Sequence, residues 1–178
     1  MTRDELARAL REAAYLEGDF VLRSGRRSRY YLDKYRFETR PDLLAPLGQA
    51  IADAVREHEP GAERLAGPEL GAVALAAAAS LESGLPFLIV RKEAKEYGTA
   101  NRLEGVHEPG ARVCLVEDVV TSGGAAIEAV EALREAGLRV ANAVCVVDRE
   151  EGGADALARR AVRLRPLFRA GELLARRK

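Results

Sequence analysis

The spacing of apolar residues changes several times along the chain, and each change marks an element. The opening MTRDELARALREAAYL has helical spacing, with Thr2 and Glu5 placed as a capping box, and predicts a charged amphipathic helix. Asp19 to Arg23 and Arg29 to Asp33 read as two short strands around SGRRS, a hairpin, with Tyr30, Tyr31, Tyr35 and Phe37 crowded beside it. Pro41 suits the first turn of a helix reaching about Glu57, with Pro46 an expected irregularity. From Glu63 onward strand and helix alternate: a strand to Ala66, a GPELG turn, an alanine-rich helix from Ala72 to Glu82, and a buried strand PFLIVR from Pro86 to Arg91. Lys92 to Glu108 is polar and without periodicity. Beyond it come a strand over Val113 to Val116, a helix from Ala125 to Ala136, a strand from Arg139 to Asp148, a helix from Ala154 to Arg160, a strand from Ala161 to Leu167 and a charged tail.

That alternation predicts an α/β fold with a mostly parallel central sheet flanked by helices. The first third cannot form a βαβ unit, so residues 1–40 or so are expected to form a small N-terminal hood over the carboxyl ends of the strands. Residues 41–178 would form the core of the same single domain, since 178 residues at 48% hydrophobic suit one well-buried domain.

The chemistry concentrates in RVCLVEDVVTSGGAA, Arg112 to Ala126. A buried strand runs into two adjacent carboxylates, Glu117 and Asp118, then through Val119 and Val120 to Thr121, Ser122, Gly123, Gly124 and Ala125 at a helix start. Hydroxyls, an open backbone and the unpaired N–H groups of a helix suit a phosphate. Two carboxylates beside an anion site are unfavourable unless they bind something between them, and a ribose with vicinal hydroxyls, often with Mg²⁺, supplies it. The segment has neither GxxxxGK[ST] nor GxGxxG, which removes the usual support for nucleotide-kinase and dinucleotide readings.

Lys+Arg and Asp+Glu both number 28, so the formal charge of zero argues against a broad footprint for nucleic acid or an anionic membrane. No apolar stretch approaches ~20 residues and the start has no signal-peptide core, which predicts a cytoplasmic protein. Cys114 and Cys145 fall in the middle of predicted strands and read as core residues; His58 and His107 read as surface residues. Lysine occurs only at 34, 92, 95 and 178, so two in one pentad, Lys92 and Lys95, suggest specific work in an arginine-rich chain. The scarcity of Asn, Gln, Met and Trp suits a thermophile or a GC-rich genome alike.

Four loops would meet at the carboxyl end of the sheet. Besides Glu117 to Ala125, the turn GPELG with Glu69 and Leu70 can turn N–H groups toward a diphosphate, though such a turn is often plain structure. The basic loop RKEAKEYG, with Arg91, Lys92 and Lys95, could meet charge on a departing diphosphate, or be a solvated loop of balanced charges. Arg149 in VVDRE could fork onto a planar carboxylate or pair with Asp148 or Glu150.

Together GDFVLRSGRRSRYYLDKYRF, GPELG, RKEAKEYG, LVEDVVTSGGA and VVDRE resemble, in order and over most of the chain, the orotate branch of the type I phosphoribosyltransferases. The VEDVVTSGG segment marks phosphoribosyltransferases in general; SGRRSRYYLD with RKEAKEYG points to the orotate branch. The resemblance implies the type I phosphoribosyltransferase fold and Mg²⁺-dependent transfer of a phosphoribosyl group from 5-phosphoribosyl 1-diphosphate to orotate, giving orotidine 5′-monophosphate and diphosphate. It implies that Glu117 and Asp118 hold the ribose hydroxyls and Thr121 to Ala125 the 5′-phosphate. Arg91, Lys92 and Lys95 would contact diphosphate. Arg149 would take the orotate carboxylate, with Thr121, Arg23, Tyr30 and Tyr31 near the ring. It also implies a homodimer in which the Arg91–Gly105 loop reaches the partner's site, with Mg²⁺ held mainly through diphosphate and ribose.

Two positions depart from the family pattern: Tyr97 stands where many bacterial members have a loop histidine, and Arg23 where lysine is common. The alternatives are a transferase for a purine or for uracil, which would not need Arg149, and a nucleotide-sensing regulator on the same fold, which would need a basic face.

Overall fold

The computed structural model describes residues 1–21, 25, 27–93 and 102–175. Arg23, Lys95 and Tyr97 lie outside that set.

Helix α1 (Arg3–Ala14) is capped as its sequence dictates: Thr2 N–H donates to Glu5 Oε2 at 2.7 Å and Glu5 N–H to Thr2 Oγ1 at 3.2 Å. The helix stops at Ala14 because Tyr15 is drawn into β1 (Tyr15–Val21), which pairs antiparallel with β2 (Arg27–Leu32). Stacking of the Tyr15 and Tyr30 rings, with centroids 5.7 Å apart, fixes that start, so the hairpin begins earlier than Asp19. One short turn, α2 (Tyr35–Glu38), not predicted, leads to α3 (Pro41–His58). The irregularity expected at Pro46 does not interrupt the helix, which runs through it to His58. The bond that Pro46 cannot make would go to the carbonyl of Asp42, an exposed first-turn residue where water can serve instead.

The main sheet contains β3 (Arg64–Pro68), β4 (Phe87–Val90), β5 (Leu103–Glu104), β6 (Arg112–Val120), β7 (Arg139–Asp148) and β8 (Arg163–Arg169), in the order β5-β4-β3-β6-β7-β8. Every pairing is parallel except that of β4 with β5. Its helices are α4 (Gly71–Ser83), α5 (Gly124–Glu135), α6 (Gly153–Ala158) and α7 (Ala170–Ala175). Successive strand residues face opposite ways. Leu65, Cys114, Val116, Val144 and Val146 pack with buried residues of α1, α3 and α4, whereas Ala66, Val113, Leu115 and Ala143 pack with those of α5 and with Leu157 of α6. Burial on both faces is why these strands read as continuous apolar runs.

Three further boundaries differ from expectation. β6 continues past Val116 because its ladder with β7 persists through Glu117↔Cys145, Val119↔Val147 and Val120↔Asp148, which places both carboxylates inside the strand. The segment without periodicity holds the two-residue β5, too short to show a pattern. The last strand runs to Arg169, and the charged tail begins as α7.

Candidate active site

The four loops are joined in pairs by the backbone. Glu69 N–H donates to the Val90 carbonyl at 2.9 Å, and Glu69 Oε1 accepts the Lys92 N–H at 2.7 Å. The GPELG turn therefore holds the first residues of the basic loop. On the other side of the sheet's centre, Arg149 N–H donates to the Val120 carbonyl at 2.9 Å, placing the end of β7 against the end of β6. The hydroxyl- and glycine-rich turn then settles on α6. A Cβ on Gly153 would lie 2.4 Å from Val120 Cγ1 and 2.6 Å from the Thr121 carbonyl oxygen, so only glycine permits the approach. Gly123 has φ 83°, in the left-handed region, and caps α5 with its backbone. Thr121 is half-buried while Ser122, Gly124 and Ala125 are exposed, leaving hydroxyls and N–H groups at the mouth of α5 accessible to an anion.

Glu117 and Asp118 are only 6% and 4% exposed. Asp118 is clamped at both oxygens. Its Oδ2 accepts from Lys34 Nζ at 2.5 Å, and its Oδ1 accepts the Val119 N–H at 2.5 Å. Gly71, at the start of α4, lies directly behind: a Cβ there would fall 1.9 Å from Asp118 Oδ2 and 3.0 Å from both Glu38 Oε1 and Lys34 Nζ. Glu38 is itself buried, and Glu38 Oε1 and Glu117 Oε1 have no hydrogen-bond partner among the described residues. Burial, reinforced by the Asp118 charge, pushes the carboxyls of Glu38 and Glu117 each up to about 8. Burial alone would lower the Lys34 ammonium, but the Asp118 carboxylate outweighs it and holds Lys34 above its ordinary value. Such a cell can bind hydroxyls and tolerate added positive charge.

Arg149 is largely buried, with its Cζ 5.5 Å from the centroid of the Tyr30 ring and Nη2 3.0 Å from Glu151 Oε1. The ionic partner is thus Glu151, not Asp148 or Glu150. Asp148 Oδ1 is taken by the Glu150 N–H at 2.9 Å and Glu150 Oε2 by the Gly171 N–H at 3.0 Å, so neither is turned to the guanidinium. Tyr30 and Tyr31 separate by strand alternation. Tyr30 lies half-buried at Arg149, whereas Tyr31 is 40% exposed and pairs with Phe20 at 5.6 Å between centroids. Arg91 points to Glu104, with Nη1 3.9 Å from Oε1, Lys92 is exposed, and Leu70 is 71% exposed, leaving its turn open. Arg23 and Lys95 lie outside the described residues.

Sequence reasoning missed Lys34 and Glu38. The rarity of lysine marked Lys34 as much as Lys92 and Lys95, but its partner is 84 residues away. Glu38 carried no signal, because α2 is only 4 residues long.

The phosphoribosyl transferase domain family matches residues 40–161. The orotate phosphoribosyltransferase of Methanocella arvoryzae is 49% identical over 171 residues, covering 96% of each chain. The crystal structure of orotate phosphoribosyltransferase from Aeropyrum pernix superposes with a TM-score of 0.86 at 34% identity, covering 96% of each chain. That of the Mycobacterium tuberculosis H37Rv orotate phosphoribosyltransferase in complex with 5-phospho-α-D-ribosyl 1-diphosphate superposes at 0.81 with 30% identity, covering 96% of this chain and 98% of that one. With the family matched across most of the core and near-complete relatives of one activity, the chain belongs to the phosphoribosyl transferase family, among its orotate phosphoribosyltransferases.

Proposed function

We propose that this single-domain chain carries out the cytoplasmic transfer of phosphoribose to orotate with the following division of labour. Glu117 and Asp118 hold the ribose hydroxyls, Thr121 to Ala125 wrap the 5′-phosphate, and Val119 and Val120 lead from the carboxylates into that turn. Arg91, Lys92 and Lys95, with the turn at Glu69 and Leu70, meet the diphosphate. Arg149 takes the orotate carboxylate, exchanging Glu151 for it, with Thr121, Arg23, Tyr30 and Tyr31 around the ring. The observation that carries this reading is the bond from Arg149 N–H to the Val120 carbonyl, which sets a buried guanidinium beside the turn suited to phosphate.

The reaction passes through a sugar with oxocarbenium character as diphosphate leaves. Carboxyl groups under the ribose favour the positive sugar, and cations above the diphosphate favour the departing charge, so both act most strongly in the transition state. Mg²⁺ on the diphosphate and ribose would add positive charge at the leaving group. The site fits that ion: Glu117 Oε1 is a buried carboxyl oxygen with no hydrogen-bond partner among the described residues, which a ribose hydroxyl or a metal-bound water would satisfy. The Arg91–Gly105 loop serves the partner's site in a homodimer, an assignment that follows the family resemblance.

The test is diphosphate release with 5-phosphoribosyl 1-diphosphate, Mg²⁺ and orotate, uracil or hypoxanthine in turn, for wild type and Arg149→Ala. Orotate should be strongly preferred by the wild type. The variant should raise KM for orotate far more than for the diphosphate substrate, because uracil cannot occupy a charge-assisted fork. A variant with unchanged base preference returns Arg149 to a pairing role with Glu151.

A further inference from the structure

We propose that Lys34 is a positioning residue for the reaction, fixing the Asp118 carboxylate for the ribose and tying the hood that carries Tyr30 to that carboxylate. The proposal rests on the reading of Asp118 as a ribose-holding residue.

Three elements close on one small cell. Lys34 comes from the junction of β2 and α2, Asp118 from β6, and Gly71 from the first turn of α4. A Cβ on Gly71 would come within 3.0 Å of Lys34 Nζ and Glu38 Oε1 and far closer to Asp118 Oδ2, so the cell has no spare volume on that side. Lys34 Nζ is also 5.4 Å from the centroid of the Tyr35 ring, which steadies it from the solvent side. The Asp118 carboxylate, held at one oxygen by Lys34 and at the other by its neighbour's N–H, cannot rotate without breaking one of two charge-assisted bonds.

The cell also has to balance charge. Glu38, Glu117 and Asp118 are all buried and close enough to interact electrostatically, and among the described residues Lys34 is the cation hydrogen-bonded to Asp118. Removing it would leave a buried carboxylate without its ionic partner, a costly state that relaxes by moving the side chain or admitting water. Either outcome spoils the placement of hydroxyl acceptors needed as positive charge grows on the sugar. A positive group near that sugar would itself be unfavourable, so Lys34 helps only while its charge is spent on Asp118.

The location of Lys34 gives it a second effect. It follows β2 closely, and β2 carries Tyr30 against the Arg149 guanidinium. The bond between Lys34 and Asp118 therefore anchors the strand that lines the base subsite to the strand that lines the ribose subsite. A lysine fits this task better than arginine would. A compact ammonium occupies the space between Gly71, Glu38 and Asp118, whereas a planar guanidinium needs a wider one.

A double-mutant cycle of Lys34→Met with Asp118→Asn, assayed with Mg²⁺, 5-phosphoribosyl 1-diphosphate and orotate, tests this. Lys34→Met should lose roughly 10- to 100-fold in kcat, a scale set by other lost electrostatic contacts, and raise both substrate KM values. Lys34→Arg should recover only part of the loss. The double variant should be no slower than Asp118→Asn alone, because Lys34 acts through that carboxylate. Multiplying losses in the double variant, or wild-type kcat in Lys34→Met beside an impaired Asp118→Asn, would overturn the role of Lys34. Normal turnover in Asp118→Asn would instead overturn the reading of Asp118 on which the role rests. If Lys34→Met does not fold, Lys34→Gln, which keeps a hydrogen-bond donor without the charge, replaces it in the same cycle.

Discussion

Asp118 is the residue on which most of the site's geometry depends. Its carboxylate is almost inaccessible, with Gly71 pressed against it and a cation on one oxygen. Asp118→Asn keeps size and shape while removing the charge, so the protein should fold and turnover should fall on the order of 10²-fold or more, as for other lost transition-state contacts. Steady-state kcat beside a melting curve checks both halves. The variant also leaves Lys34 without an anionic partner, so some stability should be lost with activity. Gly71 permits a companion experiment. Gly71→Ala would drive a methyl group into Asp118, and activity should drop although no functional group is removed.

At the scale of elements, the site depends on the close seating of α6 beneath the phosphate turn. A methyl group at Gly153 would meet Val120 and the Thr121 carbonyl at less than 3 Å. Gly153→Ala should push the turn outward, costing about 1–3 kcal/mol by overpacking and raising KM for 5-phosphoribosyl 1-diphosphate more than KM for orotate. Comparing the two KM values and the denaturation midpoint measures it. What the sequence revealed of these elements follows from how local their causes are. β7 is read over its full span, Arg139 to Asp148, because an apolar run interrupted only by Asn142 and bounded by polar turns is a local signal. β6 is read short, since two carboxylates inside a central strand are unreadable until the sheet and the hood that bury them are known. The α2 turn is invisible to periodicity, and with it went Lys34 and Glu38, which meet Asp118 only through tertiary packing. The loops bearing Arg149, Thr121 and Glu69 were legible because glycine, proline and charge at strand ends are local signals too.

For the whole molecule, two carboxyls held near 8 make stability depend on pH. Glu38 and Glu117 bind protons more tightly folded than unfolded, where an ordinary value near 4.5 applies. Their contribution is therefore complete below the unfolded value and is lost as pH rises through about 8, so the substrate-free protein should melt at progressively lower temperature from about pH 4.5 to about pH 8. Glu117→Gln should flatten that dependence, because an amide has no proton to lose. At roughly 2–4 °C per kcal/mol for a chain of this size, calorimetry across the pH range would resolve the difference.

The two ends of the main sheet bear on a different property, behaviour at high concentration. A free strand edge offers its backbone to any other chain as a template. Here one edge is β5, two residues long and too short to recruit a partner strand. The other is β8, in which Pro166 lacks a donor, arginines stand at 163, 165 and 169, and the Leu167 carbonyl already accepts from Arg3 Nη2 at 2.9 Å. The first helix thus does more than cover the core: through Arg3 it occupies one of the outer carbonyls by which copies of the protein would otherwise zip together.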